Sequence, residues 1–215
     1  MNHEHRIEMK EQHSSRAESI LLGSIALVAI VIQCLPAVGE ALQWQRSAKL
    51  PASLISALTG HLTHWSWDHL MWDLAAFVGL GLASIRVIPG RLTACLLVSA
   101  IIIPLEIALF QPAFETYRGL SGIDSALFGL LTAGLWKQGK QGKLLASAGM
   151  IGFFGKSLFE FSTGDTLFVD RATGDFIPVS SAHLSGLIGG ILAGVTIPGV
   201  LTRASTHDFA NQSRS

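Results

Sequence analysis

Arg118-Gly119-Leu120-Ser121-Gly122-Ile123-Asp124-Ser125 opens an apolar segment that runs to Trp136. A serine set between glycines at the start of a helix invites a chemical reading. Gly119 and Gly122 leave room for another backbone, or for a substrate, to approach Ser121. The first amides of such a helix are unpaired donors carrying a partial positive charge, which suits a developing oxyanion. The motif alone is a weak signal, because small residues at a helix start also serve plain packing. The rest of the chain has to supply a base and further oxyanion donors on the same side.

Composition makes the chain a membrane protein. Its 215 residues are 49% hydrophobic and only 14% charged, with a mean hydropathy of +0.47, whereas soluble domains carry about 25% charged residues. No basic block points to nucleic acid, and the formal net charge is zero. Cys34 and Cys95 lie in separate apolar segments without CxxC spacing, so both read as buried thiols. The polar stretch Met1 to Glu18 lacks a cleavable signal pattern and reads as a cytoplasmic N-terminal tail in solvent.

Six apolar segments follow. Ser19 to Gly39 runs 21 residues without a formal charge, enough to cross a hydrocarbon core of about 30 Å. The second segment runs from about Trp67 to Ile85, with His69 and Asp73 near its start. The third spans Leu92 to about Phe114 and holds Pro104 and Glu106. Ser121 to Trp136 is the fourth; Leu144 to Phe161, with Lys156 and Glu160, is the fifth; Phe176 to Thr202, with His183, is the sixth. Helices are expected throughout, since a lone strand facing lipid would leave its backbone groups unpaired. The expected architecture is an all-α bundle of six transmembrane helices over residues 19–202, with tails at 1–18 and 203–215.

Lysine and arginine set the orientation. With both termini on one side, that side collects ten cationic residues, including the run Lys137, Lys140 and Lys143; the other collects Arg46, Lys49, Arg118 and Arg171. Both termini are therefore expected in the cytoplasm, with the acidic stretch carrying Asp165, Asp170 and Asp175 outside. Segments two, four and six then all start on the outer side, bringing His69, Asp73, Ser121 and His183 to one membrane level. Intramembrane polar residues are costly and usually mark function.

In the last segment Ala182, Gly186, Gly190 and Gly194 recur every four residues, a small-residue stripe for close helix packing. His183 shares or borders that face. The plain reading makes it a histidine capping or bonding near a packed interface. A nearby serine would instead give its imidazole work as a general base.

Gly119-Leu120-Ser121-Gly122, His183-Leu184-Ser185-Gly186-Leu187-Ile188-Gly189-Gly190 and His64-Trp65-Ser66-Trp67-Asp68-His69-Leu70-Met71-Trp72-Asp73 together resemble the rhomboid intramembrane serine proteases. The resemblance covers roughly Ser19 to Thr202. The short core and the entry Thr59-Gly60-His61-Leu62-Thr63-His64 are most similar to the bacterial rhombosortase branch. That branch is thought to cut proteins bearing a glycine-rich C-terminal sorting tail. The resemblance implies Ser121 as nucleophile, His183 as general base, and His69 with the Ser121 amide as oxyanion donors, with Gly119 supporting the loop. It further implies an enzyme of the bacterial inner membrane that opens toward the periplasm, needs no cofactor or metal, and acts on membrane-anchored substrates in the lipid bilayer. The rival reading within the same fold is a catalytically inactive binder of transmembrane segments.

Two positions depart from the family pattern. Asp73 stands where rhomboids usually have an asparagine that donates to the oxyanion. It must be protonated, turn toward His69 or His183, or stand outside catalysis. Ser125 stands where many rhomboids stack a tyrosine on the catalytic histidine, which leaves open what fixes His183; Asp124 and Ser125 are polar candidates. His61, His64, His69 and Asp73 could in principle hold zinc, but without an HExxH motif the histidines read better as shaping the loop. Trp44, Trp65, Trp67 and Trp72 read as interface anchors. Lys156 and Glu160, one helical turn apart, read as an intramembrane or interfacial ion pair. A transport pathway through Glu106, Lys156 and Glu160 finds no inverted repeat to support it.

Overall fold

The computed structural model describes residues 3–164 and 180–196. The expected outer stretch with Asp165, Asp170, Arg171 and Asp175, the ends of the sixth segment and the C-terminal tail lie outside those residues. The described chain is helical: α1 (His3–Gln33), α2 (Pro36–Leu42), α3 (Ala52–Thr59) with a 3-10 turn (Gly60–Leu62), α4 (Trp67–Val87), α5 (Leu92–Phe110), α6 (Ser121–Leu135), α7 (Gly139–Thr163) and α8 (Ser180–Thr196). Four of these are long and apolar enough to cross a membrane: α1 from Glu8, α4, α5 and α7. Large apolar side chains face outward, among them Ile20, Leu97, Ile151 and Phe161, as lipid contact requires.

Several local expectations change. The polar start is helical from His3, and Glu18 is buried within the bundle. Its carboxylate accepts from the amides of Gly90 (3.0 Å), Leu92 (2.8 Å) and Thr93 (3.4 Å). A distant anion thus satisfies the first turn of α5, whose own cap residue Arg91 makes no side-chain cap bond. Cys34 is exposed at the end of α1, where the chain turns, and only Cys95 is buried. Trp44 is buried rather than interfacial. It belongs to a two-residue antiparallel bridge, β1 (Trp44–Gln45) against β2 (Thr116–Tyr117), in which Trp44 pairs with Tyr117. The bridge sits in loops between helices, where a helical backbone is not demanded.

The centre of the molecule is the α6–α8 pair. α6 is buried along almost its whole length, while α7 buries only Gly142, Ala146, Ser157 and Glu160. A Cβ added to Gly186 would collide with the carbonyl of Gly122, and one at Gly190 with the carbonyl of Ala126. The two backbones therefore touch, which only glycine permits. Both pairs share one sequence offset, so α6 and α8 run parallel, with Ser185 level with Ser121. α4 lies parallel to α6 as well: Asp73 meets Leu120 at one end, and Ser84 Oγ donates to the carbonyl of Leu127 further along. At the far end Arg91 and Lys137 donate to the final carbonyls of α8, at 2.9 Å to Ala193 and 3.0 Å to Gly194, where cations complement the helix dipole.

Candidate active site

The site forms where α4, α6 and α8 begin. The loop entering α6 is fixed before the helix starts. Arg46 donates to the carbonyls of Ile107, Ala108, Gln111 and Phe114 at 2.7–3.0 Å, closing the end of α5. The β1–β2 bridge then holds Tyr117, and the Gly119 amide donates to the Gly60 carbonyl at 3.2 Å. Arg118 reaches back to Gln43 Oε1 at 2.8 Å, with its guanidinium 4.3 Å over the Trp65 ring.

Gly119 is the hinge of this entry. Its φ of +120° is one that L side chains rarely adopt, and an added Cβ would lie 2.9 Å from His69 Nε2 and 3.2 Å from Asp73 Oδ2. Glycine is required on both counts. The His69 imidazole therefore lies directly against the backbone two residues before Ser121.

Ser66 caps α4 by accepting from the His69 amide at 3.1 Å, and His69 and Asp73 follow one turn apart on the same buried face. Asp73 Oδ2 collects three nitrogens: the Leu120 amide at 2.8 Å, His64 Nε2 at 3.2 Å and His69 Nε2 at 3.3 Å. Of the roles the sequence leaves open for Asp73, its carboxylate takes the turn toward His69. Its Oδ2 accepts from the Leu120 amide. Burial lowers the His64 pKa, and its Nε2 faces the carboxylate at 3.2 Å. His61 lies edge-on to Tyr117, with centroids 5.5 Å apart, and burial lowers its pKa from 6.5 to about 4. Both histidines shape the loop before α4.

Ser121, first residue of α6, is half-buried amid buried neighbours. The amides of Ser121 and Gly122 belong to the first turn, whose donors have no partner within the helix. His183 is buried one turn into α8, two residues nearer the helix start than Ser185, which is level with Ser121. Its Nδ1 lies 3.4 Å from Glu160 Oε2 on α7, and Glu160 Oε1 accepts from Lys156 Nζ at 2.6 Å. Among the described residues, the acidic side chain beside His183 is Glu160 rather than either polar candidate on α6. Ser125 Oγ donates to the Ser121 carbonyl at 2.9 Å, and Asp124 Oδ1 is buried without a hydrogen bond among the described residues.

Two site residues escape a reading of the sequence. Glu160 pairs with Lys156 as its spacing predicts, yet its contact with His183 crosses between helices and no local pattern announces it. Tyr117, the chain's one tyrosine, donates to the Gly119 carbonyl at 3.2 Å and faces the Ser121 side chain. Burial, with the Asp73 charge adding to it, raises its pKa, so the phenol stays a donor.

The chain matches the Rhomboid domain family over residues 51–199, a stretch that contains His69, Asp73, Ser121 and His183. No curated protein matches it.

Proposed function

Because the chain belongs to the rhomboid family, we propose that it is an intramembrane serine protease in which Ser121 is the nucleophile and His183 its general base. Rhomboid proteins are in general intramembrane serine proteases that act on membrane protein substrates, and the apolar helices make this chain a multi-pass membrane protein. The observation that carries the residue assignment is the α6–α8 contact. Glycine-level packing holds Ser121 and His183 at the same end of two parallel helices, and Glu160 lies on Nδ1 of the imidazole, leaving Nε2 for the serine.

The chemistry is acyl transfer. As Ser121 Oγ attacks the scissile carbonyl carbon, its proton passes to His183 Nε2 and the carbonyl oxygen becomes an oxyanion. The first-turn amides of α6 and the His69 imidazole beside Gly119 are the nearby donors for that charge. Loss of one such donor costs about 3–4 kcal/mol of transition-state stabilisation in comparable sites. Collapse breaks the C–N bond, and the amine leaves with the proton from His183. Water then attacks the acyl-enzyme by the reverse route and frees Ser121.

A 15-residue α6 rises only about 22 Å, less than the about 30 Å of hydrocarbon. Ser121 is therefore recessed when the far end of α6 lies at the opposite interface, and a polar pocket must admit water to it. Substrates are membrane-anchored proteins whose helix can unwind near the cut, which small residues favour. A glycine-rich C-terminal sorting tail, as in the rhombosortase branch, fits that demand. The enzyme sits in a bacterial inner membrane with both termini cytoplasmic and the site toward the periplasm.

The test is labelling of the purified protein with a serine-reactive fluorophosphonate, followed by mapping of the modified residue. Label on Ser121, lost with Ser121→Ala and with His183→Ala while the protein stays folded, is expected. A folded protein that binds tail peptides yet neither labels nor cuts them would instead be the inactive binder.

A further inference from the structure

We propose that Glu160 is a positioning residue for His183, so that the site works as a Ser121–His183–Glu160 relay in which Lys156 supplies the counter-charge. The inference rests on the protease reading above and extends the expected Ser–His pair by a third member from α7.

The geometry is specific. Glu160 is one of four buried residues on a helix that otherwise faces outward, and its side chain is 2% exposed. α7 is held against α6 there by stacking of Phe153 on Phe128, centroids 5.4 Å apart, and by Gly149 against the Phe128 ring. The two carboxylate oxygens have separate tasks. Oε1 accepts from Lys156 at 2.6 Å, whereas Oε2 makes no hydrogen bond among the described residues and lies 3.4 Å from His183 Nδ1. A buried carboxylate oxygen left open is costly unless a donor reaches it. Among the described residues, the donor group brought to it is the His183 imidazole. The separation is longer than the about 2.7–2.9 Å of a charge-assisted hydrogen bond; catalytic contacts of this kind tighten once the ring becomes charged.

The consequence for the reaction follows from the two ring nitrogens. With Nδ1–H directed at Glu160, the neutral tautomer bears its lone pair on Nε2, the form able to take the Ser121 proton. When that proton arrives, the imidazolium keeps both hydrogens and Glu160 stabilises its charge without accepting either. The proton then leaves from Nε2 to the departing amine. Ser125 is already engaged with the Ser121 carbonyl, so the position usually filled by a stacking tyrosine does not hold the ring. Glu160 does so electrostatically.

The experiment compares Glu160→Gln, Glu160→Asp and Glu160→Gln/Lys156→Gln with the wild type in detergent, by cleavage kinetics, the rate of fluorophosphonate labelling at Ser121 and melting temperature. A role in packing alone predicts that the isosteric glutamine keeps activity and the shorter aspartate loses it. The relay predicts the opposite order. Glu160→Gln should lower kcat and the labelling rate together by roughly 10²–10⁴-fold, the scale seen when a triad carboxylate becomes an amide, with KM little changed. Glu160→Asp should recover part of that loss. The double variant, which no longer strands the Lys156 ammonium, should stay as slow as Glu160→Gln; recovery in it would assign the defect to the stranded lysine and overturn the inference. Glu160→Gln that labels and cuts at the wild-type rate would overturn it too. A wild type that never labels at Ser121 would instead remove the protease reading on which it stands.

Discussion

Asp73 Oδ2 lies 2.8 Å from the backbone nitrogen of Leu120, the cap residue of α6 and the immediate neighbour of Ser121. The same oxygen faces His64 and His69, so one carboxylate ties α4, the loop before it and the loop before Ser121 together. Asp73→Ala removes that acceptor and strands the Leu120 amide. The loop should move, and a shift of about 1 Å at a reacting group costs on the order of 10²-fold in rate. Asp73→Asn can keep a carbonyl at the Oδ2 place for Leu120 and both imidazoles but carries no negative charge. A neutral acceptor is weaker than a carboxylate, so the kcat/KM of this variant should fall between the wild type and Asp73→Ala. An asparagine variant as fast as the wild type, with a weakened decline at alkaline pH, would return Asp73 to the donor role.

Gly190 and Gly152 test whether the α6–α8 contact sets the site. A Cβ at Gly190 would overlap the Ala126 carbonyl, whereas one at Gly152 on α7 meets nothing within 4 Å. Gly190→Ala must push the helices apart, at a cost of about 1–3 kcal/mol typical of overpacking, and should slow Ser121 labelling as well as lower the melting temperature. Gly152→Ala should change stability by less than about 0.5 kcal/mol and leave labelling intact. Equal behaviour of the two variants would mean that the close contact does not govern the site.

His61 gives the loop a pH dependence of definite sign. Burial lowers its pKa from 6.5 to about 4. Between those values the unfolded chain binds a proton that folded His61 refuses, so stability falls as pH falls through that window. A gap of this size corresponds to roughly 3 kcal/mol, and His64, also lowered by burial, adds in the same direction. The melting temperature in detergent should therefore drop from pH 6.5 toward pH 4, and His61→Gln should flatten the drop. A His61→Gln protein that loses stability as steeply as the wild type would rule His61 out as the cause.

What the sequence reveals of this site is what local spacing encodes. Gly119, Ser121 and Gly122 are adjacent, His69 and Asp73 are one turn apart, and the glycine stripe of α8 repeats every turn, so each is legible as a helix face. What it hides depends on helix rotation and on loops. The i,i+4 spacing pairs Lys156 with Glu160, but whether that pair meets lipid or His183 is decided by how α7 leans on Phe128. The turn of Asp73 toward Leu120 joins residues 47 apart in the chain, a contact no local spacing announces. The shortness of α6 conceals it too, since a segment buried by its neighbours need not be long enough to face lipid from end to end.

The orientation proposed from the cationic residues can be tested in the first loop and in the start of α7. Lys49 and Lys140 are both exposed, and they lie on opposite sides if α1 from Glu8, α4 and α5 each cross once and α6 crosses within the bundle. In a Cys34→Ser/Cys95→Ala background, Lys49→Cys and Lys140→Cys report the two sides. The first replacement removes an exposed thiol that would itself react, and the second removes a buried one. An impermeant maleimide added to intact spheroplasts should modify Lys49→Cys and spare Lys140→Cys until the membrane is broken. The excess of lysine and arginine on the Lys140 side is the ground for expecting that side in the cytoplasm. Labelling of Lys140→Cys alone from outside would invert the protein and turn Ser121 toward the cytoplasm. Labelling of both would mean that one of the intervening helices does not cross, the short α6 being the first to doubt.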